Sequence, residues 1–212
     1  MEKAIGPGAM NRSPYTLALF ASGTGSNVRK IIEYFSRQKN SDSPGVEISL
    51  IVCNNPAAGV VNIAREFRIP LLLLEKKRFL QGDAYAEELS HQNIDLIVLA
   101  GFLWKIPDTL IRAFPGRIIN IHPALLPRFG GKGMYGMHVH RAVIESGEKK
   151  SGISIHEVDE HYDHGRLLFQ AECELEAGET PESLAEKIHQ LEHRHYAPVI
   201  AQVLESGRLR KS

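Results

Sequence analysis

Short apolar runs alternate with amphipathic stretches along the first half of the chain, and that alternation predicts a parallel sheet carrying helices. Tyr15–Ala21 (Tyr-Thr-Leu-Ala-Leu-Phe-Ala) is apolar, short and stopped by Ser22-Gly23, the pattern of a strand buried on both faces. A helix is expected over residues 28–37, a second strand over Val46–Cys53, a helix over 57–67 and a third strand over 69–74. A helix over 83–92, with Asp83 near its N-cap, and a fully apolar strand over 94–100 continue the series. Such repetition needs right-handed crossovers, which put helices on both faces of the sheet.

The second half is less regular. Residues 108–114 predict a short helix, and the run 118–127, Ile-Ile-Asn-Ile-His-Pro-Ala-Leu-Leu-Pro, predicts a strand that Pro123 ends. A loop with four glycines between Arg128 and Gly136 follows, expected to be mobile over a nearby site; His138 and His140 then precede a helix reaching about Ser146. Residues 152–158 and 167–175 read as strands. Thr180-Pro181 opens a last helix whose Leu184, Ile188 and Leu191 form a core stripe, and Pro198 is expected to kink or interrupt it before Glu205. The fold class is α/β: a mostly parallel twisted sheet with helices on both faces and antiparallel strands in the C-terminal part. Residues 15–212 read as one domain behind a Gly- and Pro-containing flexible tail, residues 1–14.

Composition removes several classes of function. Lys+Arg and Asp+Glu both total 25, so the formal charge is zero and there is no basic field to hold nucleic acid or an anionic membrane. No apolar run approaches transmembrane length, and the N-terminus lacks the apolar core of a signal peptide. Cys53 and Cys173 lie far apart and inside predicted strands, which points to buried thiols in the reducing cytoplasm rather than to a disulfide or metal framework. Small-molecule substrates are the partners that remain, with the chain a monomer or a homodimer.

Residues i and i+2 of a strand face the same way, so Asn120 and His122 project together from one strand end. An amide donor beside a titratable imidazole suits attack on a carbonyl, where a developing oxyanion needs donors and a proton. The same pair would also serve as a turn cap and a hydrogen-bonded core histidine. The acidic turn 159–165 could bring Asp163 to His122, favouring imidazolium and raising its pKa. No Ser or Cys is placed as a nucleophile, so direct transfer to a bound amine is favoured over an acyl-enzyme. Ser22-Gly23-Thr24-Gly25-Ser26-Asn27 leaves backbone N–H groups free before a helix, a cradle for phosphate or simply a tight connection. It lacks the P-loop lysine and the dinucleotide spacing. Because ligands of such sheets bind at strand carboxyl ends, this turn, residues 101–107 and Asn120/His122 are expected to share one crevice. Nine of the ten histidines lie at or beyond His122, and His189 and His193 are four apart, yet completing ligands are missing and no metal is expected.

Taken together, Ser22-Gly23-Thr24-Gly25-Ser26-Asn27, Leu99-Ala100-Gly101-Phe102, Asn120-Ile121-His122-Pro123-Ala124-Leu125-Leu126-Pro127 and Asp163-x-Gly165 carry a resemblance. Over nearly its whole length the chain resembles the folate-dependent phosphoribosylglycinamide formyltransferases of purine synthesis. The resemblance implies their Rossmann-like fold and one-step transfer of a formyl group from the cosubstrate 10-formyltetrahydrofolate to the amine of glycinamide ribonucleotide. It implies that Asn120 holds the formyl oxygen, that His122 donates a proton and stabilises the oxyanion, and that Asp163 raises the pKa of His122 and organises water. Thr24, Gly25, Ser26 and Asn27 would hold the substrate phosphate, with His189 and Glu192 touching phosphate and ribose. Leu103, Trp104, Lys105 and Ile106, with the loop carrying Glu160 and Asp163, would line the pterin pocket. His138, His140 and His156 match histidines near the reaction centre. The Asn-Ile-His-Pro motif is shared by formyl-folate enzymes generally, so a hydrolase or a formyltransferase with another acceptor is the alternative. Those relatives normally carry further domains, and the chain has no basic appendage for tRNA. A silent ligand binder would have no use for Asn120, His122 and Asp163 together.

Overall fold

The computed structural model describes residues 13–38, 45–81 and 83–206. Most of the expected tail, residues 1–12, lies outside them, and so does the side chain of Asp83 with its expected cap. Seven strands form one sheet: β1 Tyr15–Ala21, β2 Val46–Cys53, β3 Leu71–Leu73, β4 Leu96–Leu99, β5 Ile118–His122, β6 Lys150–Glu157 and β7 Leu167–Glu174. Their order is β3-β2-β1-β4-β5-β6-β7. The first five run parallel, whereas β6 pairs antiparallel with β5 and β7 antiparallel with β6.

Alternation along each strand feeds two cores. Leu17, Leu19, Ile51, Val98, Ile119 and Ile121 face one side, covered by α1 Ser26–Arg37, α2 Val60–Phe67, α6 Met137–Glu145 and α7 Pro181–Glu205. Ala18, Phe20, Val52, Ile97, Leu99 and Ile118 face the other, covered by α3 Lys76–Gln81, α4 Asp83–His91 and α5 Asp108–Ala113. These strands are buried on both faces, which explains why they read as continuous apolar runs. Ile118, Asn120 and His122 share a face, so the catalytic-looking pair emerges where the second core runs out at the strand end.

Several boundaries differ from those the pattern predicts. Helix α1 starts at Ser26, so Ser26 and Asn27 belong to its first turn. Strand β3 keeps only three residues because Arg68, in a left-handed conformation, and Pro70 hold the chain in a turn until Leu71. Helix α3 was not expected: its Lys-Lys-Arg-Phe-Leu-Gln sequence has no apolar period, and Phe79 alone is buried. His138 and His140 lie inside α6 rather than before it, and β6 begins at Lys150 rather than 152. Pro198 does not interrupt α7. The helix continues to Glu205 because Val199, Ile200 and Leu204 pack into the first core, and that packing outweighs the backbone hydrogen bond a proline cannot donate. Its start is as expected: Thr180 Oγ1 accepts from Ser183 N, Ser183 Oγ accepts from Thr180 N, and Pro181 takes the first helical position.

Candidate active site

The carboxyl ends of β1, β4 and β5 open into a cleft of about 580 Å³. Thr24, Gly25, Ser26, Asn27, Leu103, Trp104, Lys105, Ile106, Asn120, His122, Asp163, His189 and Glu192 all line it. Glu160 does not; it is exposed and outside the lining. His140 and His156 reach the cleft, whereas His138 is exposed and stacks edge-on against Tyr135. Gly131, Met134, Tyr135 and Tyr162 also line the cleft, so the glycine-rich loop forms one of its walls.

The floor is made by stitching two turns together. Ser22 N donates to Gly101 O at 3.0 Å, and Ser22 Oγ accepts from Leu103 N at 2.9 Å. Gly25 has φ +79°, and a Cβ there would lie 2.7 Å from Ile63 Cδ1 and 2.9 Å from Val60 Cβ. Only glycine permits both that conformation and that approach to α2. No side chain caps α1 at Gly25, so the N–H groups of its first turn remain for a ligand. Asn27 Nδ2 donates to Glu192 Oε2 at 2.9 Å, tying α1 to α7, while Asn27 Oδ1 is buried without a partner. Burial pushes the Glu192 carboxyl pKa up, against the opposing effects of Asn27 and His189. Tyr196 Oη donates to Leu99 O at 2.8 Å and fixes α7 on the end of β4. Beside this corner the rings of His189 and His193 lie stacked, with centroids 6.4 Å apart.

The candidate reaction centre is a web of four side chains and three backbone groups. His122 is 3% exposed, and its Nε2 lies 2.8 Å from Phe129 O. A carbonyl can only accept, so Nε2 carries a hydrogen and Nδ1 is the nitrogen that exchanges protons. Nδ1 lies 3.5 Å from Asp163 Oδ2, which also accepts from Gly131 N at 2.9 Å. Asp163 Oδ1 lies 3.5 Å from His156 Nε2. His156 Nδ1 donates to Glu157 O at 2.7 Å, so in the neutral ring Nε2 accepts from Asn120 Nδ2 at 3.2 Å. Asn120 and His156 are cross-strand neighbours on β5 and β6, which explains the contact. Phe129 and Asp163 have φ +55° and +56°, backbone that bulky and charged residues rarely adopt, and both touch His122.

Electrostatics here separate the expected effect of Asp163 on His122 from that of burial. Burial drives the His122 pKa down, and although Asp163 and the Phe129 carbonyl push it up, the net displacement is downward. Asp163 does favour imidazolium, but desolvation wins. Burial also pushes Asp163 up, yet a hydrogen bond from His156 and the charge of His122, which act when those rings are protonated, together with the Gly131 N–H, outweigh it and hold the carboxyl below its usual range. His140, buried with Nδ1 unpartnered, is pushed down to about 4 by burial and by the neighbouring His189 and His122. Among the described residues no group of three His, Cys, Asp or Glu is placed to hold a metal ion. No helix there is long and apolar enough to cross a membrane. Two of the backbone groups, Phe129 O and Gly131 N, were missed from the sequence, where only the adjacent Gly130-Gly131 pair hinted at a tight approach.

A mostly parallel sheet whose carboxyl end joins an amide, an imidazole and a carboxylate beside an uncapped helix is the equipment of a transferase acting at a carbonyl carbon. The family model described as formyl transferase matches residues 15–200, and the chain belongs to that family. Its relatives are more particular. The chloroplastic phosphoribosylglycinamide formyltransferase of Arabidopsis thaliana is 43% identical over 194 residues, covering 89% of this chain and 65% of that protein. The phosphoribosylglycinamide formyltransferase of Bacillus subtilis (strain 168) is 38% identical over 191 residues, covering 88% and 93%. The crystal structure of the enzyme of that name from Bacillus halodurans matches with a TM-score of 0.80 at 33% identity, covering 92% and 100%. The chain therefore spans a little under two thirds of the Arabidopsis relative and nearly all of the two bacterial ones.

Proposed function

We propose that the chain transfers the formyl group of 10-formyltetrahydrofolate to the amine of glycinamide ribonucleotide, N1-(5-phospho-D-ribosyl)glycinamide, releasing tetrahydrofolate in purine synthesis. The observation that carries this reading is the Asn120, His122 and Asp163 cluster opening into the same cleft as the uncapped start of α1. The exposed apolar wall of Leu103 and half-buried Trp104 fits a flat heterocycle, and the α1 turn fits a phosphate. When bound, the cosubstrate supplies an activated formyl carbon.

Asn120 gives one Nδ2 hydrogen to His156 and keeps the other for the formyl oxygen, whose charge grows as the amine attacks. His122, neutral at pH 7 because burial holds its pKa down, takes the proton that the attacking amine sheds at Nδ1. Asp163 stabilises the resulting imidazolium, and His122 then returns the proton to the nitrogen that leaves the formyl carbon. One carbon–nitrogen bond forms, one breaks, and the shuttled proton is conserved. Glu192 and His189 stand by the α1 turn for ribose and phosphate, Gly25 to Asn27 present their N–H groups, and Leu103 to Ile106 flank the pterin. Both cysteines are free thiols, which supports a reducing compartment such as the cytoplasm.

The test is absorbance of released tetrahydrofolate after mixing protein with 10-formyltetrahydrofolate, with and without glycinamide ribonucleotide. Release that requires the ribonucleotide supports the proposal. Equal release without it would replace this reading with hydrolysis.

A further inference from the structure

We propose that Gln170, on β7 and outside the cleft lining, is a positioning residue that fixes which nitrogen of His122 exchanges protons, by pinning Leu126. The inference rests on the reading of His122 as the proton carrier. Gln170 Nε2 has two hydrogens and spends both in one place: one on Leu126 O at 3.0 Å, the other on Ser154 Oγ at 2.8 Å. Ser154, fully buried on β6 directly opposite Gln170, accepts from Leu126 N at 2.9 Å and donates to Ala124 O at 2.7 Å. The hydroxyl thus uses its one donor and both acceptor positions, and both backbone groups of Leu126 are held by side chains of β6 and β7.

Leu126 is the base of the loop that holds the reaction centre. Its side chain lies under Gly130 so closely that a Cβ at 130 would be 2.6 Å from Leu126 Cδ2 and 3.2 Å from Asp163 Cβ. On either side of Gly130, Phe129 O takes the Nε2 hydrogen of His122 and Gly131 N binds Asp163 Oδ2. Phe129 adopts its positive φ only because its surroundings impose it. Release of Leu126 lets that peptide relax, Phe129 O withdraws, and the neutral imidazole loses its reason to keep hydrogen on Nε2. The proton then settles on Nδ1 in part of the population, and Nδ1 can no longer accept from the attacking amine.

Gln170→Met keeps volume and shape while removing the donors. It is expected to lower kcat about 10- to 100-fold, the scale of a small misplacement of a reacting group, with KM for both ligands within about twofold. Two-bond proton–nitrogen NMR spectra of labelled His122 are expected to show hydrogen on Nε2 in the parent chain and a mixture of tautomers in the variant. An unchanged kcat, a rise in KM matching the loss, or a kcat loss with the His122 tautomer unaltered would each overturn the inference. If Gln170→Met does not fold, the same spectra of Gln170→Glu decide, since an ionised carboxylate has no hydrogen to give to Leu126 O or Ser154 Oγ. The spectra need no turnover: a tautomer shift in a chain without transferase activity would uphold the positioning role and remove the proposed function instead.

Discussion

Replacing Asp163 with Asn isolates the charge behind the proposed proton transfer. Asn can still offer an oxygen to Gly131 N, so the loop keeps its anchor while the negative charge 3.5 Å from His122 Nδ1 disappears. Two unit charges at that distance interact by roughly 5 kcal/mol at an effective dielectric of about 20. Part of this is recovered because Asp163 is shared with His156 and the site relaxes, which leaves a loss of about 2–3 kcal/mol in stabilising imidazolium at the transition state. That corresponds to a fall in kcat of roughly 30- to 150-fold. The sign of the pH effect is also fixed. The carboxylate favours protonated His122, so removing it makes protonation harder, and the acidic limb of kcat against pH moves to lower pH. Steady-state transfer rates between about pH 5 and pH 8, at saturating ligands, measure both effects. A variant with kcat within about twofold of the parent and an unmoved limb would refute the role given to Asp163.

Three further outcomes follow from the geometry. Gly25→Ala forces a Cβ within 2.9 Å of both Ile63 Cδ1 and Val60 Cβ at φ +79°; denaturant titration is expected to show a loss of about 1–3 kcal/mol, and inorganic phosphate to compete less well with the ribonucleotide. Glu192 has a folded-state pKa raised by burial, so its contribution to stability is fullest below about pH 4.5 and is lost as pH rises through the folded value; Glu192→Gln is expected to gain stability over the parent at pH 8 relative to pH 5 while raising KM for the ribonucleotide, and a pH-independent difference would contradict this. His140, at about 4 in the folded chain, holds fewer protons than when unfolded, so it costs stability as pH falls from about 6.5 toward 4; His140→Gln is expected to remove up to roughly 3 kcal/mol of that dependence, and NMR titration of His140 with a midpoint near 6.5 would rule it out.

Most of the sheet was legible because its central parallel strands β1, β4 and β5 are largely buried on both faces and do not alternate, so each reads as an apolar run between turn signals. The meeting of three strand ends followed from topology alone. Asn120 and His122 were legible through the period of two along a strand, and Gly25 through the run of small residues before α1. Helix α3 was hidden because it buries a single residue, Phe79, against Tyr85, Phe102 and Trp104, too little to make a period. The passage of α7 through Pro198 reflects long-range packing, which local propensity does not contain. The grip of Phe129 O and Gly131 N on His122 and Asp163 was illegible for a different reason: backbone groups carry no residue identity. The downward displacement of His122 needs the depth of burial, and the placement of Glu160 outside the cleft needs the path of the turn.

The central claim is that this cleft moves a formyl carbon from a folate nitrogen to the ribonucleotide amine through His122. Carbon-13 NMR of a reaction with formyl-labelled 10-formyltetrahydrofolate and glycinamide ribonucleotide, run in parallel with His122→Ala, tests it most directly. The account predicts that the parent chain places the label in an amide on the ribonucleotide and that the variant does so at least about 100-fold more slowly. Label appearing as free formate, or equal transfer by the variant, would contradict it.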